Sequence, residues 1–113
     1  MRIIEDKISI LELRKMAEQM FGDLVKAVVD VEKEIMAING ELHSDEEALL
    51  LKKDSKQENL WGINIYPEIE NDNWIEFDSM INLRPSLQNL SRGVDDLDIR
   101  RKIKKIVNKL VKK

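Results

Sequence analysis

A chain of 113 residues, of which 42% are apolar, is long enough for one domain with one modest hydrophobic core. It has no cysteine, which excludes disulfides, thiolate metal sites and cysteine nucleophiles and favours a cytoplasmic location. Charges interrupt the apolar stretch near the N-terminus and no stretch is long enough to cross a bilayer, so we expect no signal peptide and no membrane association.

The net charge of −3 is unevenly distributed along the chain. Residues 99–113 contain eight basic residues and no acid, a charge of +8. The first 98 residues hold the remaining 11 of the 19 basic groups and all 22 acids, which gives −11. The sequence therefore predicts an acidic body with a basic end.

The first helix is predicted from a capping signal and a glycine stop. Ser9 and Glu12 have the spacing of a capping box, and apolar residues then recur at helical spacing. We expect this helix to run from about Ile10 to Phe21 and to stop at Gly22.

A hairpin and a second helix are predicted next. β-Branched residues on both sides of a short charged break predict strands at 27–31 and 35–38. Ser44 and Glu47 repeat the capping-box spacing and predict a short helix to about Lys53. The run of three leucines in this segment would also fit a strand.

A second hairpin and a third helix complete the chain. Leu60–Tyr66 and Trp74–Leu83 alternate as strands do, and the polar loop Pro67–Asn73 joins them. Val94 and Asp95 have the positions of a hydrophobic staple and an N-cap before a basic helix. Its apolar stripe comprises Ile99, Ile103, Ile106, Val107 and Leu110.

These elements predict an α+β protein with the order αββαββα. We expect residues 1–113 to form a single domain with a mainly antiparallel, four-stranded sheet. The first and third helices should pack on one face of that sheet. The side chains expected on this apolar face are Trp61, Ile63, Ile65, Ile75, Phe77, Ile81 and Leu83.

The opposite face of the second hairpin should be polar. It is predicted to gather Asn64, Tyr66, Glu76, Asp78 and Asn82, with Asp30 joining them if Val29 and Val31 face the core. Two carboxylates without a third ligand are more typical of a solvated sheet face than of a divalent-cation site. We therefore expect no metal and no cofactor.

The segment from Arg84 to Ser91 is the most site-like loop of the sequence. It leaves a strand and leads to a helix N-terminus, where backbone N–H groups favour an anion. Arg84→Lys should leave folding nearly intact and abolish binding, because lysine lacks the bidentate guanidinium. The predicted ligand-binding residues are Arg84, Asn82, Tyr66, Asn64, Trp61, His43, Asn89 and Ser91.

Three function classes remain open. The favoured one is a small binding or regulatory module that takes an anionic small molecule or a protein partner near this loop. The alternative is a hydrolase-type enzyme in which His43, Asp45 or Glu76 acts as base and Arg84 holds an anion. The third is nucleic-acid binding through the basic helix, which the acidic body disfavours. The basic face of this helix would equally suit docking on the acidic body of the same chain or, in a homodimer, on that of a second copy.

The sequence also resembles a family of short bacterial proteins known only as a domain of unknown function. The resemblance is carried by WGINIYP (61–67), WIEFDSMINLRPS (74–86) and ELHSDEEALLL (41–51). Further matching positions are Ser55, Gln57, Asn89, Ser91, Asp96, Ile99 and Arg100. The resemblance implies one domain and adds no chemistry. The chain departs from the family at Asp54 and Gln88, where glycine is usual, which disfavours tight turns there.

Overall fold

The computed structural model describes all 113 residues, which form three α-helices and seven β-strands. In chain order these are β1 (Arg2–Ile4), β2 (Ile8–Ser9), α1 (Ile10–Gln19), β3 (Val25–Asp30), β4 (Ile35–Ile38), α2 (His43–Lys52), β5 (Leu60–Ile65), β6 (Ile75–Glu76), α3 (Leu97–Leu110) and β7 (Val111–Lys112). Short 3₁₀ turns at 57–59, 72–74, 80–82 and 85–87 lie in the connections. None of the helices has the length and apolar character needed to cross a bilayer.

The predicted α+β class is confirmed. Five strands form one sheet in the order β1-β4-β3-β5-β6, and every neighbouring pair is antiparallel. The prediction had four strands because β1, with three residues, is too short to show a pattern. A parallel pair of two-residue strands, β2 and β7, joins the two ends of the chain.

Helix α1 begins where its cap predicts. The backbone N–H of Glu12 donates to Ser9 Oγ at 3.2 Å, although the Glu12 carboxylate pairs with Arg2 and does not close the capping box. The helix ends at Gln19, slightly earlier than expected. Gly22 then adopts φ +96° and donates its N–H to the Ala17 carbonyl oxygen, so the predicted glycine stop is confirmed.

Helices α1 and α3 pack on one face of the sheet, as predicted. Leu13 of α1 and Ile103 of α3 are completely buried against Val29 and Ile63 of the sheet, within one cluster of 20 buried residues. The apolar stripe of α3 is thus confirmed, but its N-cap is Asp96, whose carboxylate accepts from the N–H groups of the first turn.

The other face of the sheet is not solvated as expected, because α2 covers it. Leu50 of α2 packs with Val28, Ala37 and Leu60 in a second, smaller buried cluster. The segment is a helix as predicted, but its N-cap is Leu42 and no side chain caps it. The proposed Ser44–Glu47 capping box was therefore wrong, and the helices lie on both faces of the sheet.

The second hairpin is much shorter than the sequence predicts. Strand β6 ends at Glu76, so the predicted strand to Leu83 was wrong from Phe77 onward. Trp74 belongs to the 3₁₀ turn before the strand and so does not alternate with Ile75, and both residues are buried. Leu83, which was predicted to face the core, is exposed. The chain then crosses over β5 at Gly62, where a Cβ atom would lie only 2.6 Å from Ser79 Cβ.

Asn82 takes the place of the missing strand beside β5. Its Oδ1 accepts from the Gly62 N–H at 2.9 Å, and its Nδ2 donates to the Gly62 and Arg92 carbonyl oxygens at 3.0 and 2.9 Å. One side-chain amide thus satisfies both backbone groups of a buried strand residue, as a paired strand would.

The two turns that lack the expected glycine are nevertheless tight. Asp54 has φ +70° and Gln88 has φ +59°, both in the left-handed region. The tertiary structure holds these turns in place despite the side chains, so the absence of glycine does not prevent tight turns here.

Candidate functional site

The largest cleft of the protein, about 580 Å³ in volume, lies where the first turn of α2 meets strands β3, β5 and β6. We call it the Asn64 cleft, because Asn64 lies in the middle of its polar floor. Three of the predicted ligand-binding residues line it: His43, Asn64 and Tyr66. The charged residues that line it are Lys26, Glu76, Asp78 and Arg92.

A row of three side chains crosses the floor of this cleft. Lys26 of β3 is the cross-strand neighbour of Asn64 in β5, and Asn64 is the neighbour of Glu76 in β6. Asn64 Nδ2 donates to Glu76 Oε1 at 2.8 Å and to the Asp78 carbonyl oxygen at 3.4 Å. Asn64 Oδ1 is buried and has no hydrogen-bond partner. The predicted meeting of Asn64, Tyr66, Glu76 and Asp78 on one face is confirmed, and Asn82 and Asp30 are used elsewhere.

The charges of the cleft are only partly paired. Arg92 Nε donates to Asp78 Oδ1 at 2.7 Å, and the Tyr66 hydroxyl donates to Glu76 Oε1 at 3.0 Å. Partial burial, followed by this bond to Glu76, raises the pKa of Tyr66, so the phenol keeps its proton at neutral pH. The Lys26 ammonium lies over the Phe21 ring, 5.2 Å from its centroid, and forms no ion pair.

His43, the first residue of α2, forms part of the wall of the cleft and is 8% exposed. Its Nε2 is 2.8 Å from the Ile63 carbonyl oxygen, which can only accept, so Nε2 carries the proton and Nδ1 is the free acceptor. Burial lowers the pKa of His43, so the ring is neutral at pH 7. His43 therefore offers one acceptor nitrogen and no positive charge.

The rim of the cleft is apolar. Phe21, Leu42 and Met80 line it and are 41%, 55% and 62% exposed, respectively. Polar groups on a floor with exposed apolar side chains around the entrance are typical of a site for a small ligand.

Arg84 lies outside the Asn64 cleft. Its guanidinium stacks on Trp61, with 4.3 Å from Cζ to the ring centroid, and donates to the carbonyl oxygens of Gln57 and Leu60. Burial lowers the pKa of Arg84. The side chain thus holds the backbone that leads into β5, and it pairs with neither Glu76 nor Asp78.

Trp61 and Asn89 line a second cleft of about 510 Å³ on the other side of β5, which we call the Trp61 cleft. It corresponds to the predicted space between this strand and the Arg84–Ser91 loop.

The polar side chains of this region are already hydrogen-bonded within the chain. Asn89 Nδ2 donates to three carbonyl oxygens, and its Oδ1 accepts from the Asp95 N–H. Ser91 Oγ donates to Asp95 Oδ1 at 2.5 Å and is the main cause of the lowered pKa of Asp95. The acids that line this cleft are Glu58, Asp95 and Asp96. Their charges oppose the binding of an anion there.

The predicted site residues are therefore dispersed: some line the Asn64 cleft, some line the Trp61 cleft, Asn82 is buried, and Arg84 and Ser91 line neither cleft. Sequence reasoning missed Lys26, although the alternation that places Asp30 on the polar face also places Lys26 there. It did not reveal that the α2 helix start and the Met80 segment would close over this face, because that depends on contacts between distant parts of the chain.

The candidate catalytic residues predicted from the sequence are separated: His43 and Glu76 line the Asn64 cleft, and Arg84 lies outside it. Asp45 lies apart from His43 and Glu76, beside Met1 and Lys52. No three His, Cys, Asp or Glu side chains approach closely enough to hold a metal ion.

The fold and the site define a small α+β domain with one partly charged cleft beside a five-stranded sheet. The chain belongs to the family described as "Protein of unknown function (DUF5674)", whose model matches residues 2–110. No curated protein and no solved structure matches the chain.

Proposed function

We propose that the protein is a small binding module that holds an anionic group of a ligand in the Asn64 cleft. The observation that carries this proposal is Lys26, a half-buried residue that lines the cleft and whose ammonium forms no ion pair. An ammonium without an ion pair is attracted by a group of opposite charge, and an anionic ligand supplies one. The uncapped first turn of α2 lines the same cleft and adds backbone N–H groups.

This proposal keeps the anion-accepting function expected from the sequence and moves it to another place. The Arg84 guanidinium is already held by backbone carbonyl oxygens, and the Trp61 cleft beside it is acidic. Lys26 is therefore the better anchor for an anion. A cytoplasmic location belongs to the same proposal and is supported by the lack of cysteine.

The other two function classes receive no comparable support. The hydrolase alternative needs Arg84 to hold an anion beside His43, Asp45 or Glu76; His43 and Glu76 line the Asn64 cleft, but Arg84 lies outside it. For nucleic acid, half of the eight basic side chains at the C-terminal end contact their own chain. These are Arg100, Arg101, Lys109 and Lys113.

The proposal is tested with hydrocinnamate, which joins a carboxylate to an apolar ring that suits the rim. We expect it to shift the backbone amide NMR signals of Lys26, His43 and Asn64, and we expect the neutral analogue hydrocinnamyl alcohol to bind at least about tenfold more weakly. Lys26→Met keeps the length of the side chain and should remove this difference.

Arg84→Lys is the matched control. The contacts of Arg84 support a prediction opposite to the one made from the sequence: this variant should lose stability, because the stacked guanidinium is lost, and should retain hydrocinnamate binding. Loss of binding in Arg84→Lys with no effect of Lys26→Met would overturn the proposal and return the site to the Trp61 cleft. Hydrocinnamate that causes no shift in the Asn64 cleft would also overturn it.

A further inference from the structure

We propose that the ligand of the Asn64 cleft is a small zwitterion, a molecule that carries a primary ammonium and a carboxylate on one apolar body, as a hydrophobic amino acid does. This inference deepens the proposed function and rests on it. Lys26 accounts for the anionic group, and the other end of the same row of side chains accounts for the ammonium.

The first step is the orientation of the Asn64 amide. Its two partners, the Glu76 carboxylate and the Asp78 carbonyl, are both acceptors, so the NH₂ group must face them. Asn64 Oδ1 must then point away from them, and it is buried with no partner in a side chain that is 8% exposed. A buried acceptor without a hydrogen bond is costly, and a donor group on a ligand would remove that cost.

The second step is the set of other unused acceptors that line the same cleft. The hydrogen bonds from Asn64 and Tyr66 both end on Glu76 Oε1, and the bond from Arg92 ends on Asp78 Oδ1. The second oxygen of each carboxylate is left without a hydrogen bond from the chain. Together with Asn64 Oδ1 they make three acceptors, and a primary ammonium has three N–H donors.

The third step is the distance between the two ends of the row. Lys26 and Glu76 are separated by two strand spacings, which places their Cα atoms about 10 Å apart with Asn64 between them. They form no ion pair with each other. An ammonium and a carboxylate attached to neighbouring atoms of one ligand would fit between Glu76 and the flexible Lys26 and would pair with both.

The fourth step is the shape and charge of the rest of the cleft. Phe21, Leu42 and Met80 offer apolar surface to a side group at the entrance. The volume of about 580 Å³ exceeds that of one amino acid and leaves room for water or a second residue. A divalent cation is a poorer occupant of the acceptor end, because Lys26 and Arg92 line the same cleft and repel it about twice as strongly as a single positive charge.

The experiment compares three probes that differ by one group: L-phenylalanine, hydrocinnamate, which lacks the ammonium, and phenethylamine, which lacks the carboxylate. Their affinities are measured by titration calorimetry, and amide NMR signals localise each one. We expect phenylalanine to bind at least about tenfold more tightly than either analogue. Glu76→Gln should lower its affinity to that of hydrocinnamate and leave hydrocinnamate binding as tight as before or tighter. Because Glu76 is exposed, this variant should fold normally.

The possible failures are distinguishable. Hydrocinnamate that binds as tightly as phenylalanine, or more tightly, would overturn the proposal that the cleft recognises an ammonium and would leave the proposed function intact. Phenethylamine that binds as tightly as phenylalanine, with no effect of Lys26→Met, would overturn both the zwitterion and the anion site. The same holds if none of the three probes shifts Lys26, Asn64 or Glu76.

Discussion

Four residues other than glycine have positive φ, a backbone conformation that favours glycine, and Asp54 and Gln88 are two of them. Gln88 ends the 3₁₀ turn after Arg84 with φ +59°, and Asp54 follows the end of α2 with φ +70°. A side chain in this region clashes with its own backbone, at a cost of about 1 kcal/mol or more, and aspartate tolerates it better than glutamine. Each turn therefore contains local strain that the surrounding contacts overcome.

Gln88→Gly should relieve this strain and stabilise the protein. We expect a gain of about 0.5–1 kcal/mol in the free energy of unfolding, after allowance for the greater freedom of glycine in the unfolded chain. Asp54→Gly should gain less. Urea denaturation measures both. Ser86→Gly, in the same turn but without positive φ, is the control and should be neutral or destabilising; an equal gain there would refute the explanation.

At the scale of elements, the outer edge of β5 is completed by a side chain. Strand β6 pairs only with Asn64 and Ile65, and the Asn82 amide satisfies Gly62 beyond them. This arrangement needs the absence of a Cβ at Gly62, because the Ser79 side chain lies directly above it. It also connects the sheet to the loop before α3 through the Arg92 carbonyl oxygen.

Asn82→Ala should therefore destabilise the protein strongly. It leaves the buried N–H and C=O of Gly62 unsatisfied, and we expect a loss of roughly 2–4 kcal/mol in the free energy of unfolding. Amide hydrogen exchange at Gly62 should speed up more than at Ala27 in the centre of the sheet. Asn108→Ala, which removes an exposed asparagine on α3, should change stability by less than about 0.5 kcal/mol. Similar losses in both variants would contradict this role for Asn82.

The elements that could be predicted from the sequence were those with a complete local signal. Helix α1 has both a capping serine and a terminal glycine, so its start was predicted to the residue and its end within two residues. Helix α3 has a continuous apolar stripe, so its existence and its buried face were predicted, although its N-cap was not. The strand after Trp74 was predicted too long because residues 77–83 alternate as a strand would. Only the contacts of Ser79 and Asn82 with Gly62 show that this segment leaves the sheet.

At the scale of the whole molecule, one carboxyl group within α2 couples global stability to pH. Glu46 is completely buried; its Oε2 accepts from the Gly40 N–H at 2.9 Å, and its Oε1 has no partner. Burial raises the pKa of Glu46 from 4.5 to about 9, so the group is protonated in the folded protein at neutral pH. In the unfolded chain the same group ionises near its ordinary value.

The stability of the folded protein should therefore fall as pH rises from about 4.5 to about 9, because only the unfolded chain releases this proton in that range. Glu46→Gln keeps the shape and cannot ionise, so it should be more stable than the wild type at about pH 8, with a smaller difference at about pH 5. The melting temperatures of both proteins, measured between about pH 5 and about pH 8, test this prediction. The lowered pKa of His43 acts in both proteins and does not enter their difference. If the stability of the wild type and of Glu46→Gln changed in parallel with pH, Glu46 would have the same pKa in the folded and the unfolded chain.

The sequence by itself determined the class of the fold, helices α1 and α3, and the core-facing residues Trp61, Ile63, Ile65 and Ile75 of the second hairpin, because hydrophobic period and capping act over a few neighbouring residues. It also placed Asn64, Tyr66, Glu76 and Asp78 together, since their alternation survives in the paired part of β5 and β6.

Only the tertiary structure decided which cleft these residues line and which cation joins them. Lys26, His43 and Asn64 are far apart in the chain, and their meeting depends on the register of β3 with β5 and on α2 covering the second face of the sheet. Arg84, the cation that the sequence analysis placed in the ligand site, instead donates to the Gln57 and Leu60 carbonyl oxygens. A long-range contact of this kind leaves no periodic trace in the sequence, because it depends on how separate elements pack.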